Sequence, residues 1–187
     1  IAAMSIVMRI TQFAASVMIG FGQGFQPVCG FNYGAKKYGR VKEGFWFCVR
    51  VSTVFLCIMA VCGWFGAELL VTIFRKGDPD VIRYGTRALR LQCISFPLVG
   101  WITMCNMMMQ TMGKGVRATI LSMSRQGLFF IPLVLTLPAY YGLFGVQVSQ
   151  PISDVVSFLV AIPLEIGVLR EMTREMRAME MEPGITT

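Results

Sequence analysis

From Ile10 to Ala35 the chain carries no charge, and the run then meets Lys36, Lys37, Arg40 and Lys42. About 20 apolar residues are enough to cross a bilayer as a helix. The same pattern predicts five spans, at about 4–33, 45–74, 84–112, 117–139 and 146–169. The last two share an apolar stretch, 126–169, too long for one helix, and Pro138 to Gly145 supplies the turn. Residues 170–187 are polar and are expected to be helical up to Pro183-Gly184. The expected class is an all-α integral membrane bundle over 1–169, followed by a tail.

These spans are not apolar all round. Ser5, Arg9, Gln12, Ser16, Gly20, Gln23, Pro27 and Gly30 recur at helical spacing in the first. Gln92, Ser95, Thr103, Asn106, Gln110 and Gly113 do so in the third. Thr119, Ser122, Gln126, Phe129 and Thr136 form a weaker stripe in the fourth. Gln147, Gln150, Asp154, Ser157, Ala161 and Glu165 form one in the fifth. Such stripes line a wet, ligand-accessible cavity or else glue helices together. On the first reading Arg9, Gln23, Asn106, Gln110, Gln126 and Gln150 are the cleft candidates.

Asp154 lies about 13 Å into its helix, counted from Gly145 at 1.5 Å per residue. A carboxylate at that depth is costly unless paired, hydrated or protonated. It is either an ion-coupling group facing the cleft or a structural acid paired with Arg9 or capped by Gln150. Arg125 reads as an interfacial anchor or a second cleft cation, and Glu68 and Glu165 read as interfacial. Met104, Met107, Met108 and Met109 offer a soft ligand surface, or else simply face lipid or fill the core.

Charge orients the bundle. With five spans, one side receives Lys36, Lys37, Arg40, Lys42, Arg50, Lys114, Arg117, Arg125, Arg170, Arg174 and Arg177. The other receives Arg75, Lys76, Arg83, Arg87 and Arg90, softened by Asp78 and Asp80. The richer side, which includes the tail, is expected in the cytoplasm.

Composition then excludes several classes. Hydrophobic residues make up 55% and charged ones 14%, too few charges for a soluble domain. The net charge of +7 sits at the ends of apolar runs, which argues for headgroups and against nucleic acid. The six cysteines lie inside apolar segments without a CxxC pair, and there is no histidine, so zinc sites and disulfide frameworks are not expected. Without histidine there is no Ser/His/Asp set, and Gly113-Lys114-Gly115 lacks the spacing of a phosphate loop. No enzyme and no cofactor are expected.

Residues 20–41, GFGQGFQPVCGFNYGAKKYGRV, resemble the segment that closes the second helix of each half in multidrug and toxic compound extrusion (MATE) transporters. The likeness continues, in order, in GTRALRLQCISFP, QTMGKGVRATILSMSRQGLFFIP and YYGLFGVQVSQPISD, and Arg125-Gln126-Gly127 resembles the family's RQG signature. It covers roughly residues 1–170. The resemblance implies two six-helix bundles around a cleft, exporting organic, often cationic, compounds in exchange for sodium ions or protons. This chain would supply helices 8 to 12. The implied partners are the lipid bilayer, a small organic substrate and the N-terminal half of the same protein. The implied place is the plasma membrane, with the C-terminus cytoplasmic.

One departure stands out. Some members place an acid inside the tenth helix, but Ile94–Gln110 holds none. Coupling through this half stays open, with Asp154 its candidate, or falls to the missing helices. A lipid-linked precursor flippase of the same superfamily would show more cations in its cleft than Arg9 and Arg125. A non-transporting subunit would need neither the glycine-rich helix nor the stripes.

Overall fold

The computed structural model describes residues 2–74 and 79–181. Arg75, Lys76 and Asp78 of one connection, and Pro183-Gly184 of the tail, lie outside the described residues.

Each described stretch is helical apart from short turns, as at 35–37, 112–114 and 142. Helix α1 (Ala2–Gly34) is followed by α2 (Tyr38–Phe74) and α3 (Pro79–Thr111). The fourth span is divided: α4 (Gly115–Met123), a π turn (Ser124–Leu128) and α5 (Phe130–Tyr141). Helix α6 (Leu143–Met181) closes the chain. Among the described residues five segments are long and apolar enough to span a membrane.

The helices run past the apolar limits at several ends. Helix α2 begins at Tyr38 rather than near 45, and the helix expected from residue 170 is the unbroken continuation of the fifth span, α6 running on to Met181. At 39 residues α6 is about 58 Å long, roughly twice the hydrocarbon thickness. Its polar final turns therefore project beyond the lipid.

Helix α3 is the most buried span and packs against α1, α2 and α6. Its Met104, Cys105, Met108 and Met109 are wholly buried, so three of the four clustered methionines fill the core. Two glycines let the α2 and α3 backbones approach. A Cβ on Gly63 would sit 2.7 Å from Cys93 Sγ, and one on Gly100 would sit 2.9 Å from Leu56 Cδ1. The outer face of α2 is a different surface: Phe65, Leu69 and Ile73 are exposed, as suits contact with lipid.

The α5–α6 hairpin is closed by glycines. Gly142 has φ +56°, a left-handed backbone that favours glycine, and a Cβ on Gly145 would run into the Leu137 carbonyl oxygen.

Cross-helix contacts sort the connections by end. Lys42 of α2 hydrogen-bonds Thr173 of α6, while Lys114 and Arg117 of α4 both pair with Glu171. The basic connections 36–42 and 113–117 thus gather around the end of α6. At the opposite end Gln147 Nε2 donates to the Tyr84 carbonyl at 3.2 Å, tying the starts of α6 and α3 together.

Candidate functional site

Asp154, on α6, is fully buried and accepts hydrogen bonds on both oxygens. Oδ1 accepts from Arg125 Nε at 3.0 Å and from Gln150 Nε2 at 3.3 Å. Oδ2 lies 3.1 Å from Ser95 Oγ and 3.2 Å from Gln92 Nε2, both on α3. The Gln92 amide also donates to Ser95 Oγ at 3.0 Å, and the Ser95 hydroxyl lies 2.9 Å from the Gln92 carbonyl. One carboxylate therefore joins three helical segments. Such a buried charge is tolerated because a guanidinium and several dipoles compensate it.

Two expectations change here. The ionic partner of Asp154 among the described residues is Arg125, while Arg9 is exposed on α1. Nor is Arg125 an interfacial anchor. It lies about 15 Å along its span from Gly115, and its side chain is only 20% exposed.

The π turn is what aims Arg125 inward. Phe129 N–H donates to the Ser124 carbonyl at 3.2 Å, five residues back instead of four. Ser153 Oγ, on α6, donates to the Arg125 carbonyl at 2.7 Å and holds the wide turn against α6. Single π turns of this kind are frequent at functional positions.

Arg125 has a second face. With Gln126, Ser122, Asn106, Thr103 and Ile19 it borders a cavity of about 190 Å³. Asn106 Nδ2 donates to Ser122 Oγ at 2.6 Å and to the Ala118 carbonyl at 3.1 Å, and Gln110 Nε2 donates to Asn106 Oδ1. Met107 also lines this cavity and accepts from Gln26 Nε2 at 3.1 Å. Asn106 and Gln126 thus border one cavity, Gln110 is tied to it only through Asn106, and Gln150 joins Asp154. Arg9 and Gln23 reach neither group; both are exposed on α1.

The polar stripes divide into two kinds. On α6, Gln147, Asp154, Ser157 and Glu165 are buried between helices. On α1, Arg9, Gln12, Ser16 and Gln23 are exposed, as are Ser122 and Gln126 beside them on the fourth span. Glu165 corrects the interfacial expectation. It is 0% exposed, and neither carboxyl oxygen has a hydrogen-bond partner of good geometry. Its titratable neighbours are Cys105 on α3 and Cys29 on α1.

Gln92, Ser95 and Ser153 were missed as site residues. Gln92 and Ser95 already stood in the stripe of the third span, which was the available signal. Nothing in the spacing marked the π turn. Among the described residues no group of three or more His, Cys, Asp or Glu side chains is arranged for a metal ion.

The profile of the MatE family matches residues 1–136. The chain belongs to the MatE family. The multidrug export protein MepA of Staphylococcus aureus (strain MSSA476) is 28% identical over 162 residues, covering 87% of this chain and 35% of MepA. MepA of Staphylococcus haemolyticus (strain JCSC1435) is 29% identical over 163 residues, with the same coverage. Among solved structures, the MATE multidrug transporter DinF-BH, solved as a complex, is 37% identical with a TM-score of 0.79. It is covered over 36% of its length by 86% of this chain. An outward-facing MATE transporter of the MOP superfamily matches with a TM-score of 0.85 at 18% identity. That match covers 92% of this chain and 39% of the other and is a likeness of fold. This MatE chain spans between a third and two fifths of the length of such relatives. It is a multi-pass membrane protein with the architecture of one part of a MATE transporter.

Proposed function

We propose that this MatE chain forms one wall of the substrate cleft of an efflux transporter in the plasma membrane, with its C-terminus in the cytoplasm. The transporter exports organic, often cationic, compounds in exchange for protons or sodium ions and does no covalent chemistry. The observation that carries this reading is the exposed polar stripe of α1. Arg9, Gln12, Ser16 and Gln23 turn away from the five-helix bundle, and lipid is a poor solvent for all four. A water-filled cleft shared with the remaining helices is a good one. The cavity bordered by Asn106, Gln126 and Arg125 adjoins this face through Ile19. The descriptions of MepA as a multidrug export protein and of DinF-BH as a multidrug transporter support the substrate class.

Asp154 and Arg125 supply the coupling. A proton or sodium ion arriving at the Asp154 carboxylate competes with the Arg125 guanidinium for Oδ1. A displaced Arg125 remains beside the cavity it already lines, and its uncompensated charge there disfavours an organic cation. Ion and substrate then exclude one another, as antiport requires, and the exclusion is reciprocal.

The test is efflux per folded molecule of the full-length transporter in proteoliposomes, with a proton or a sodium gradient imposed separately. Asp154→Asn, which leaves Arg125 uncompensated as a bound ion does, should bind a cationic substrate weakly whatever the ion concentration and lose gradient-driven efflux; the gradient that drives the wild type names the ion. Normal coupled efflux by the Asn variant would remove Asp154 from the mechanism.

A further inference from the structure

A second cavity lies at the opposite end of the bundle from Lys42 and Glu171. It measures about 770 Å³ and is bordered by Trp64 and Glu68 of α2 and by Arg83, Thr86, Arg87 and Arg90 of α3. The three arginines follow each other at spacings of four and three, so they share one face of α3. Among the described residues Glu68 is the one acid in the lining. Among the same residues none of the three arginines has a carboxylate within ion-pair distance; the ion pairs lie at Glu171 and Asp154.

Two of these cations are nonetheless held in place. Arg90 Nε donates to the Trp64 carbonyl at 3.3 Å, and its guanidinium lies 5.9 Å from the centre of the Trp64 ring. The Arg87 guanidinium lies 6.0 Å from the Phe144 ring centre. The Thr86 side chain lines the same cavity, while its hydroxyl is buried without a hydrogen-bond partner and closed off from that space. Donors are therefore gathered here without an acceptor.

We infer that this cavity binds a phosphate ester, seated as the headgroup of an anionic phospholipid. The guanidinium fork matches phosphate oxygens, and three forks give a donor set for a tetrahedral anion. Basic pockets between membrane helices bind such headgroups. The lipid source is favoured by what adjoins the cavity. Phe65, Leu69 and Ile73 form an exposed apolar row on α2 next to Trp64 and Glu68, a surface on which acyl chains can lie. Trp64 itself is of the type that sits at headgroup level.

The inference is tested on the full-length transporter in neutral detergent, by native mass spectrometry of bound phosphatidylglycerol and phosphatidylcholine. Phosphatidylglycerol should bind preferentially. Replacing Arg83, Arg87 and Arg90 by Gln together should weaken it by about fivefold per arginine, roughly a hundredfold in all. Thr86→Val, which keeps every charge and removes no accessible donor, should leave it unchanged. Arg174→Gln with Arg177→Gln, both exposed near the other end, should leave it unchanged. Glycerol 3-phosphate added in solution separates the sources. Weak competition supports the lipid. Displacement at equal affinity would keep the phosphate chemistry and overturn the lipid source. Equal binding of the two lipids, wild-type binding by the triple variant, or an equal loss in the Arg174/Arg177 control would overturn the site.

Discussion

Arg125 Nε and Asp154 Oδ1 lie 3.0 Å apart inside the bundle, one on a π turn and the other on a helix 29 residues later. The pair fixes the wide turn, because Ser153, the neighbour of Asp154, holds the Arg125 carbonyl at the same time. Side chain and backbone of one residue are thus gripped by two consecutive residues of α6. The same arginine borders the cavity with Gln126 and Asn106. Any change at Asp154 is felt at that cavity through a single side chain.

The pair should be strongly non-additive. Arg125→Met leaves the Asp154 carboxylate buried and uncompensated, and Asp154→Leu leaves the guanidinium so. Each single change should cost about 3–5 kcal/mol, read as a lower melting temperature of the full-length protein. The double variant should melt above both singles, because no uncompensated charge remains. Additive losses would mean that the two groups do not stabilise one another.

Water should reach the outward polar stripe. Single cysteines at Gln23, Asn106, Gln110 and Gln126, in full-length protein without the six native cysteines, should react with a small water-soluble thiol reagent. Substrate should slow the reaction at Asn106 and Gln126, which border the cavity. Cysteines at Phe65 and Leu135, both exposed on apolar faces, serve as lipid-side controls. If all four test positions stay as inert as the controls, the stripe is a packing surface for other helices and the cleft reading fails.

The helical class was legible because uncharged runs near bilayer length leave few alternatives. Their ends were less so: charge excluded residues 38–44 from the second span, yet they are its first helical turns, and the helix expected after 170 proved to be one piece with the fifth span. Periodicity found Gln92, Ser95, Gln150 and Asp154 on helix faces without saying which faces meet. Arg125 was misplaced for a definite reason. It was grouped with the basic residues Lys114 and Arg117 of the boundary although it already lies ten residues along its span from Gly115, and the π turn that directs it inward has no signature in the pattern of apolar positions. Glu165 failed in the same way. Its distance from the end of the apolar run suggested an interface, but α6 continues for four further turns and carries it into the core.

Orientation gives a direct check. The connection around Lys37 and the end of α6 around Arg177 gather at the same end of the bundle, where Lys42 meets Thr173. On the proposed orientation, which rests on the basic excess, that end lies in the cytoplasm. Cysteines at Lys37 and Arg177 should resist an impermeant thiol reagent in intact cells and react after permeabilisation. Labelling of both from outside would invert the bundle and transfer the arginine cavity to the inner leaflet.

Glu165 offers the sharpest test of what the α6 interior tolerates. Its carboxyl is wholly buried and hydrogen-bonded to nothing with good geometry, and its titratable neighbours are the Cys105 and Cys29 thiols. Thiols are weak donors, so they do little to replace the water such a group gives up. If the carboxyl has no function in folding, an unbranched apolar side chain of similar size should fit better. Glu165→Met in the full-length transporter is expected to melt at or above the wild-type temperature, by up to about 4 kcal/mol of added stability. Efflux should be measured on the same preparation. A variant that is more stable and still pumps makes Glu165 a tolerated cost of the helix interface. A variant that is more stable and no longer pumps marks the carboxyl as a working group kept against the interest of packing. A fall in stability would contradict the prediction and mean that the carboxyl holds a partner in the intact protein, which Glu165→Gln, able to donate as well as accept, should partly restore.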